Sequence, residues 1–305
     1  MQLQFVGGSS LSASRVILGM MRASELSPGA LDTLVRTALD QGINLFDHAD
    51  IYGDGQSETR FGELLARDPS LRGRMLIQFK CGIRDGLYDL SRAHILRAVE
   101  DSLSRLRCDH LDLLLLHRPD ALMEPEEIVG AFDSLAQSGK ALHFGVSNFG
   151  AGEMDLLRRA VRQPILVNQL QFSAAHTPLL DANLNVDMLV PSAANHTDGV
   201  LNACRRYGVT IQTWSSLQYG YFEGTFLGSE RYAPLNTELN EIARTSGVAP
   251  EAVAIAWILR HPARMQAIVG TTNEKRLQAI CKAADMELTR DQWYAIYKAA
   301  GNRLP

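Results

Sequence analysis

The 305-residue sequence has little of what marks several large classes of protein. It contains four cysteines, with no CxxC pair and no histidine at zinc spacing, which argues against a disulfide framework and structural zinc. Its longest uninterrupted apolar stretch, residues 252–259, is far shorter than the roughly 18 residues of a membrane-spanning helix. The 30 Lys and Arg residues do not outnumber the 34 Asp and Glu residues. We therefore expect neither nucleic acid nor an anionic membrane surface as a partner.

The composition that remains is typical of a globular protein. Apolar residues make up 46% and charged residues 21% of the chain, which allows a substantial buried core. Residues 1–10 contain no basic segment followed by an apolar one, so we expect no secretion signal and a cytoplasmic location. No low-complexity tract and no shift in composition marks a linker, and we expect residues 1–305 to form a single domain.

The dominant pattern is a short apolar run of strand type followed by an amphipathic helical stretch, repeated about eight times. This alternation predicts an α/β protein, a (β/α)8 TIM barrel, because eight parallel strands close a barrel. A long connection at 218–236 and an extra C-terminal helix at 290–300 do not fit the repeat. The predicted strands are 15–19, 44–46, 75–80, 111–116, 143–147, 165–169, 210–214 and 267–269. The predicted helices are 31–41, 58–66, 94–106, 125–138, 152–161, 199–206, 250–260 and 275–284.

Two widespread phosphate-binding loops are missing from the sequence. No GxGxxG segment occurs, and the glycine-containing segment 145–150 is followed by Ala151, where a P-loop needs lysine. A Rossmann domain and a P-loop nucleotidase are therefore disfavoured.

Polar side chains stand where the predicted strands end. In a (β/α)8 barrel these ends all face one rim, which is where barrel enzymes have their active sites. Burying several titratable side chains together is unfavourable in free energy unless they are paired, and such clusters are typical of functional sites. The sequence therefore predicts a site at this rim. The polar and aromatic residues concerned are Asp47, Tyr52, Lys80, His117, Ser147, Asn148, Gln169, Trp214 and Ser215.

Other residues near the same rim have simpler interpretations. Arg118 and Asp120, beside His117, are expected to form a structural ion pair. The segment 20–22, after the first strand, either lines a substrate pocket or fills the core.

The strand-end segments resemble those of a known family. They are 46–53 (FDHADIYG), 80–82 (KCG), 115–120 (LLHRPD) and 145–149 (GVSNF). In their order and spacing over nearly the whole chain they resemble the aldo-keto reductases, and the stretch LTRDQW near the C-terminus is similar to that of the bacterial oxidoreductases of this superfamily. The resemblance implies reduction of a small aldehyde or ketone with NADPH, or alternatively NADH, and no metal.

The chemistry of the reaction gives the matching residues their expected roles. Hydride that reaches a carbonyl carbon leaves negative charge on oxygen, so a proton donor must stand beside it, and we expect Tyr52 to be that donor. The ammonium of Lys80 at about 4 Å would supply a gross ~4 kcal/mol. That is enough to lower the phenol pKa by roughly 2 to 3 units. Asp47 is expected to keep Lys80 charged, and His117 to hydrogen-bond the carbonyl oxygen.

The resemblance also implies which residues hold the nicotinamide. Ser147, Asn148 and Gln169 offer amide and hydroxyl partners for its carboxamide. Trp214 is expected to stack on the ring, and Ser215 follows it at the end of the same strand.

After the eighth predicted strand, the segment 270–276 resembles the phosphate-binding turn of the family, at a helix N-terminus that favours anions. Arg276 would hold the adenosine 2′-phosphate of NADPH. The other predicted cofactor contacts of this turn are Gly270, Thr271 and Thr272.

Two other functions stay open from the residues alone. One is an NADPH-binding regulatory subunit that senses redox state with little turnover. The other is a metal-dependent hydrolase that would use Asp47, His48, Asp50 and His117, although no HxH or HExxH motif occurs. The presence of all four expected catalytic residues favours the reductase. The sequence specifies neither the carbonyl substrate nor the oligomeric state.

Overall fold

The structure, a computed structural model, describes residues 1–304 and has at its centre a closed barrel of eight parallel strands. Each strand pairs with its neighbours in chain order, and the last pairs with the first, so the sheet has no open edge. The barrel strands are β1 (Val16–Gly19), β2 (Leu45–Ala49), β3 (Leu76–Cys81), β4 (Leu113–Leu116), β5 (Phe144–Ser147), β6 (Ile165–Gln171), β7 (Thr210–Trp214) and β8 (Gln266–Val269).

Eleven α-helices occur within residues 1–304, most of them packed around the barrel. They are α1 (Pro28–Asp40), α2 (Gln56–Arg67), α3 (Arg92–Leu106), α4 (Pro125–Gln137), α5 (Ala151–Ala160), α6 (Pro178–Leu184), α7 (Val200–Tyr207), α8 (Ala233–Ser246), α9 (Pro250–Leu259), α10 (Glu274–Cys281) and α11 (Arg290–Ala299). Short 3₁₀ segments are Ala23–Glu25, Pro69–Arg74, Pro191–Ala193, Glu230–Tyr232 and Lys282–Asp285. Three antiparallel pairs lie outside the barrel: Leu3–Phe5 with Ser12–Ser14, Ile83–Arg84 with Leu87–Tyr88, and Gln218–Tyr219 with Gly224–Thr225.

A cluster of apolar side chains closes the amino end of the barrel. All four residues of β4 are fully buried, because parallel barrel strands are covered on both faces. The N-terminal hairpin contributes Val6 and Ala13 to the same buried apolar cluster as residues of β1, β2, β4, β6 and β8. The carboxyl ends of the strands are therefore the end of the barrel left for a site.

Helix α11 is fixed to the barrel wall through aromatic stacking. Trp257 of α9 and Trp293 of α11 stack with ring centroids 4.9 Å apart, and each indole N–H donates to the other residue's carbonyl oxygen, at 2.9 and 3.0 Å. The apolar run 252–259 lies in α9 and is buried throughout, which accounts for its composition.

The eight predicted strands and the extra C-terminal helix are confirmed. The end of one strand and the connection 218–236 need correction. Strand β2 extends to Ala49, beyond the predicted end at residue 46, because it stays in register with β3 up to Lys80. The predicted connection 218–236 is wrong in part, since it contains a short hairpin and α8 begins at Ala233. Helices α6 and α8 were not predicted.

In the described part of the chain no single helix is both long and apolar enough to cross a membrane. One pair, Glu230–Ser246 with Pro250–Leu259, reaches that length and composition when taken together, with a bend of 96° between its halves.

Candidate active site

A cavity of about 1100 Å³ opens at the carboxyl ends of the barrel strands. Lys80 lies fully buried and outside its lining, and Thr272 is exposed and also outside it. The predicted site residues that do line the cavity are Asp47, Tyr52, His117, Ser147, Asn148, Gln169, Trp214, Ser215, Gly270, Thr271 and Arg276.

Asp47 and Lys80 form a buried ion pair at the base of the cavity. The Lys80 ammonium donates to both carboxylate oxygens, at 2.7 and 2.6 Å, and to the His48 carbonyl oxygen at 3.2 Å. Adjacent strands hold the pair in place, because β2 and β3 run in register with Ala49 opposite Lys80. Burial disfavours the charged ammonium, but Asp47 and Tyr52 outweigh it and raise the pKa of Lys80 above its ordinary value. The lysine is therefore held in its charged form.

Two glutamines also bind the Asp47 carboxylate. The side-chain amides of Gln78 and Gln169 donate to Oδ1 at 2.6 and 3.1 Å. The predicted cofactor contact Gln169 thus has at least one amide hydrogen engaged within the protein. Gln78 was missed by the sequence analysis, although a lone glutamine inside an otherwise apolar strand was a signal that could have found it.

Tyr52 lies beside this pair. The Lys80 ammonium is 5.0 Å from the centroid of the phenol ring, and the Tyr52 and His117 rings meet edge to face with centroids 6.5 Å apart. Burial raises the pKa of the Tyr52 phenol above its ordinary value, Lys80 opposes the rise and Asp47 adds to it. The predicted lowering of this pKa is therefore wrong for the free protein, because removal of the phenolate from water outweighs the ammonium.

His117 is neutral in this environment. Burial, with the positive charges of Lys80 and Arg118, brings the pKa of its imidazole well below the ordinary value. Ring atom Nδ1 is buried and has no hydrogen-bond partner among residues 1–304, which leaves Nε2 as the nitrogen that can reach a ligand.

Asn148 joins three parts of the site through its side chain. Its amide nitrogen donates to the His117 carbonyl oxygen at 3.1 Å and to Ser147 Oγ at 2.9 Å. Its amide oxygen accepts the indole N–H of Trp214 at 2.9 Å. Asn148 adopts a left-handed backbone conformation, with φ of 61°, which asparagine tolerates better than most residues. The predicted cofactor contact is thus already bonded to protein groups and holds Trp214 in place.

The predicted ion pair between Arg118 and Asp120 does not form. Asp120 instead accepts the backbone N–H groups of Leu90 and Leu122, at 3.0 and 2.8 Å. These bonds satisfy the carboxylate with amides of the surrounding loops. The Arg118 guanidinium lines the cavity and lies 5.9 Å from the centroid of the Trp214 ring.

The expected phosphate turn, which follows β8, also contributes to the lining. Asn273 caps α10 by accepting the backbone N–H of Arg276 at 3.0 Å, and the Arg276 side chain approaches Glu251 at 3.9 Å. Arg22 donates to the Gly270 carbonyl oxygen at 2.9 Å. Arg22 and Glu251 both line the cavity. Glu251 was missed by the sequence analysis, whereas Arg22 belongs to the segment 20–22 left open there.

Aromatic residues of the hairpin after β7 border the cavity mouth. Phe222 stacks on Trp214, with ring centroids 6.3 Å apart, and Tyr221 meets it edge to face at 6.4 Å. Both hairpin residues are exposed and line the cavity. No group of three His, Cys, Asp or Glu side chains that could hold a metal ion occurs within residues 1–304.

Comparison with known proteins gives consistent matches over the whole chain. The family model described as "Aldo/keto reductase family" matches residues 15–300. The chain is 37% identical to "Oxidoreductase YdhF" of Escherichia coli (strain K12), covering 94% of this chain and 93% of that protein. It is 34% identical to a "6-dehydroglucose reductase" of Agrobacterium fabrum, with 95% of both chains covered.

Two further matches bear on the fold and on an alternative role. The crystal structure of the thermostable aldo-keto reductase Tm1743 with the inhibitor epalrestat has a TM-score of 0.79 and 23% identity, and covers 98% of this chain and 100% of that one. A "Probable voltage-gated potassium channel subunit beta" of Arabidopsis thaliana is 27% identical over 94% of this chain and 92% of that protein.

Proposed function

The chain belongs to the aldo/keto reductase family and is a nicotinamide-dependent oxidoreductase, and we propose that it reduces an aldehyde or ketone to an alcohol with NADPH, with Tyr52 as the proton donor. The observation that carries the proposal is the buried Asp47–Lys80 ion pair, beside Tyr52 and a neutral His117 in one cavity. A small-molecule carbonyl compound is the substrate, and the protein acts in the cytoplasm.

The residues of the cavity fit a nicotinamide dinucleotide. The lining runs from the ion pair to the start of α10, where Thr271 and Arg276 would hold phosphate groups. At the other end, Trp214 and Ser215 would hold the nicotinamide, and the hydrogen bond to Asn148 fixes the plane of the indole. The cofactor supplies a hydride to the carbonyl carbon. Arg276 is the residue that would favour NADPH over NADH.

Tyr52 supplies the proton in this mechanism. Because burial raises the pKa of its phenol, the group is protonated at neutral pH and can donate. As the carbon–hydrogen bond forms, the electron pair of the carbonyl double bond moves to oxygen, and the Tyr52 O–H proton follows it. The resulting phenolate is stabilised by the Lys80 ammonium and is reprotonated from water.

The neighbouring side chains position these charges. Asp47 holds Lys80 in its charged form, and Gln78 and Gln169 hold Asp47. His117 donates from Nε2 to the carbonyl oxygen as a neutral group, so it orients the substrate without adding a competing cation near Lys80. Asp47, Gln78 and Lys80 lie on the adjacent strands β2 and β3, and Gln169 reaches Asp47 from β6 across the barrel.

The proposal is tested by substitution of the proton donor. We expect Tyr52→Phe to lose most of kcat with a panel of aldehydes, about 10²-fold or more, because the hydroxyl is removed while the ring remains. Binding of NADPH, measured by fluorescence titration, should stay near the wild-type affinity.

Tyr207→Phe, on α7 and outside the cavity lining, serves as the matched control and should keep the wild-type rate. Reduction by Tyr52→Phe at close to the wild-type rate would show that another group donates the proton.

A second candidate is a redox-sensing regulatory subunit, for which the match to a probable potassium channel β subunit is the specific observation. It predicts tight NADPH binding with no measurable consumption across the aldehyde panel. The intact Asp47, Tyr52, Lys80 and His117 favour the reductase.

A further inference from the structure

Arg118 is an unsatisfied cation at the catalytic end of the cavity. Within residues 1–304 no carboxylate lies within 4.0 Å of its guanidinium, and no protein acceptor takes a hydrogen bond from it. The carboxylate expected to pair with it, Asp120, instead accepts one backbone N–H from its own loop, that of Leu122, and one from the loop that holds Leu90. An arginine has several N–H donors in a planar fork, and here all of them face a ligand cavity or water.

The Arg118 guanidinium lies close to the position proposed for the reacting carbonyl. Arg118 directly follows His117 at the end of β4, and its charge is near enough to lower the pKa of that imidazole. It also lies 5.9 Å from the centroid of the Trp214 ring, against which the nicotinamide is proposed to stack. A group bound by Arg118 would therefore lie beside the carbonyl that His117 is proposed to hold.

The surroundings of Arg118 favour a ligand that combines an anion with an apolar body. Tyr221, Phe222 and Ile51 line the same cavity and are exposed. A guanidinium that rests on an aromatic face is partly desolvated, which strengthens its hydrogen bonds to a carboxylate. The planar fork matches a carboxylate through two parallel N–H···O bonds, which a neutral hydroxyl does not reproduce.

We propose that Arg118 is a specificity-determining residue that binds a carboxylate on the substrate, so that the enzyme prefers carbonyl compounds bearing both a carboxylate and an apolar or aromatic body. The proposal rests on the carbonyl reductase function given above, and it names the substrate class.

A matched pair of aldehydes tests this preference. The probes are 4-carboxybenzaldehyde and its neutral methyl ester, methyl 4-formylbenzoate, each at saturating NADPH. Because the ester cannot form the charge-assisted hydrogen bonds of the acid, we expect kcat/KM for the acid to exceed that for the ester by about tenfold or more. In Arg118→Met the ratio of the two values should fall to near unity, whereas Arg118→Lys should retain part of it.

The ratio is the measured quantity because a change in turnover common to both substrates cancels. Arg60→Met is the matched control, since Arg60 bonds to a backbone carbonyl oxygen, that of Leu26, and lies outside the cavity lining, and it should leave the ratio unchanged. High salt should lower the ratio in the wild type.

Three outcomes would overturn the inference. The first is equal kcat/KM for acid and ester in the wild type, and the second is a ratio that Arg118→Met leaves unchanged. The third is a rise in the KM for NADPH in Arg118→Met without a change in the ratio, which would assign Arg118 to cofactor binding. If neither aldehyde is reduced at all, the reductase function itself fails, and the two failures are thereby distinguished.

Discussion

Burial changes the acid–base behaviour of individual side chains at the rim of the barrel. It acts against the charged form of each group, so the pKa of His48 falls to about 3 while that of Asp50 rises to about 7. Lys80 is the exception, because a carboxylate bonded through both oxygens offsets its desolvation. A fully buried charge persists here where a partner of opposite sign touches it, whereas the unpaired Arg118 guanidinium lies on the cavity lining.

Asp50 gives a prediction about stability against pH. Burial is the largest cause of its raised pKa, which reaches about 7 from an ordinary value of 3.8. The folded chain thus holds this proton more tightly than the unfolded chain, and the free energy of unfolding falls as pH rises through that range. We expect Asp50→Asn, which removes the titration, to raise the melting temperature at pH 8 more than at pH 5. Because only the range between pH 5 and the folded-state pKa of about 7 contributes, the difference corresponds to at most roughly 3 kcal/mol.

Thermal denaturation of both proteins at the two pH values measures this effect. Asp54→Asn, at an exposed neighbouring position, is the control and should show no such difference. An equal change in melting temperature at pH 5 and pH 8 for Asp50→Asn would contradict the assignment.

At the scale of elements, the contact between α2 and α3 depends on a position without a side chain. A Cβ added at Gly62 of α2 would lie 2.0 Å from the carbonyl oxygen of Arg105 on α3. That oxygen belongs to the backbone and cannot move without shifting the helix. Helix α2 directly follows the segment that carries Tyr52, so the close approach of the two helices also supports the site.

We expect Gly62→Ala to lower the free energy of unfolding by about 1 to 3 kcal/mol, because the two helices must separate. Gly29→Ala, on α1, is the matched control: nothing lies within 4 Å of its added Cβ, and it should be neutral or slightly stabilising. Denaturant unfolding compares the variants. An equal free energy of unfolding for Gly62→Ala and the wild type would show that the two helices can separate with little loss of stability.

At the scale of the whole molecule, the proposed cofactor site draws on strands across the barrel. Ser147, Trp214 and Gly270 belong to or follow β5, β7 and β8, and all line one cavity. A ligand bound there contacts elements far apart in sequence and stabilises the folded state as a whole. The single-domain organisation of residues 1–305 stays a prediction, and the reciprocal bonds between Trp257 and Trp293 agree with it.

We expect NADPH at about 100 times its Kd to add about 2.7 kcal/mol of stability. That corresponds to a rise in melting temperature of about 4 °C or more. NADH at the same concentration should give a smaller rise, and Arg276→Gln should reduce the NADPH effect to that of NADH. The exposed Arg290→Gln is the charge-matched control. Equal shifts with both cofactors in the wild type would remove the proposed role of Arg276.

Much of the site could be predicted because strand ends are visible in the sequence. Asp47, Tyr52 and His117 follow apolar runs at positions that a barrel brings to one rim, and the structure places them together. The prediction failed for Asp120, because one of its partners, Leu90, lies in a different loop. Asp120 bonds to amides of Leu90 and Leu122, and nothing in the local sequence distinguishes this from pairing with Arg118.

The order of apolar runs and turns by itself determined the number of strands, their closure into a barrel and the end at which polar groups gather, because these follow from periodicity and from the shared direction of parallel strands. Only the tertiary structure decided which hydrogen bonds those groups make and how strongly each is desolvated. The bond from Trp214 to Asn148, the two glutamines on Asp47, the raised pKa of Tyr52 and the free guanidinium of Arg118 all depend on distances between separate strands and loops. Packing of the folded chain fixes these distances, and the pattern of residues along the sequence does not specify them.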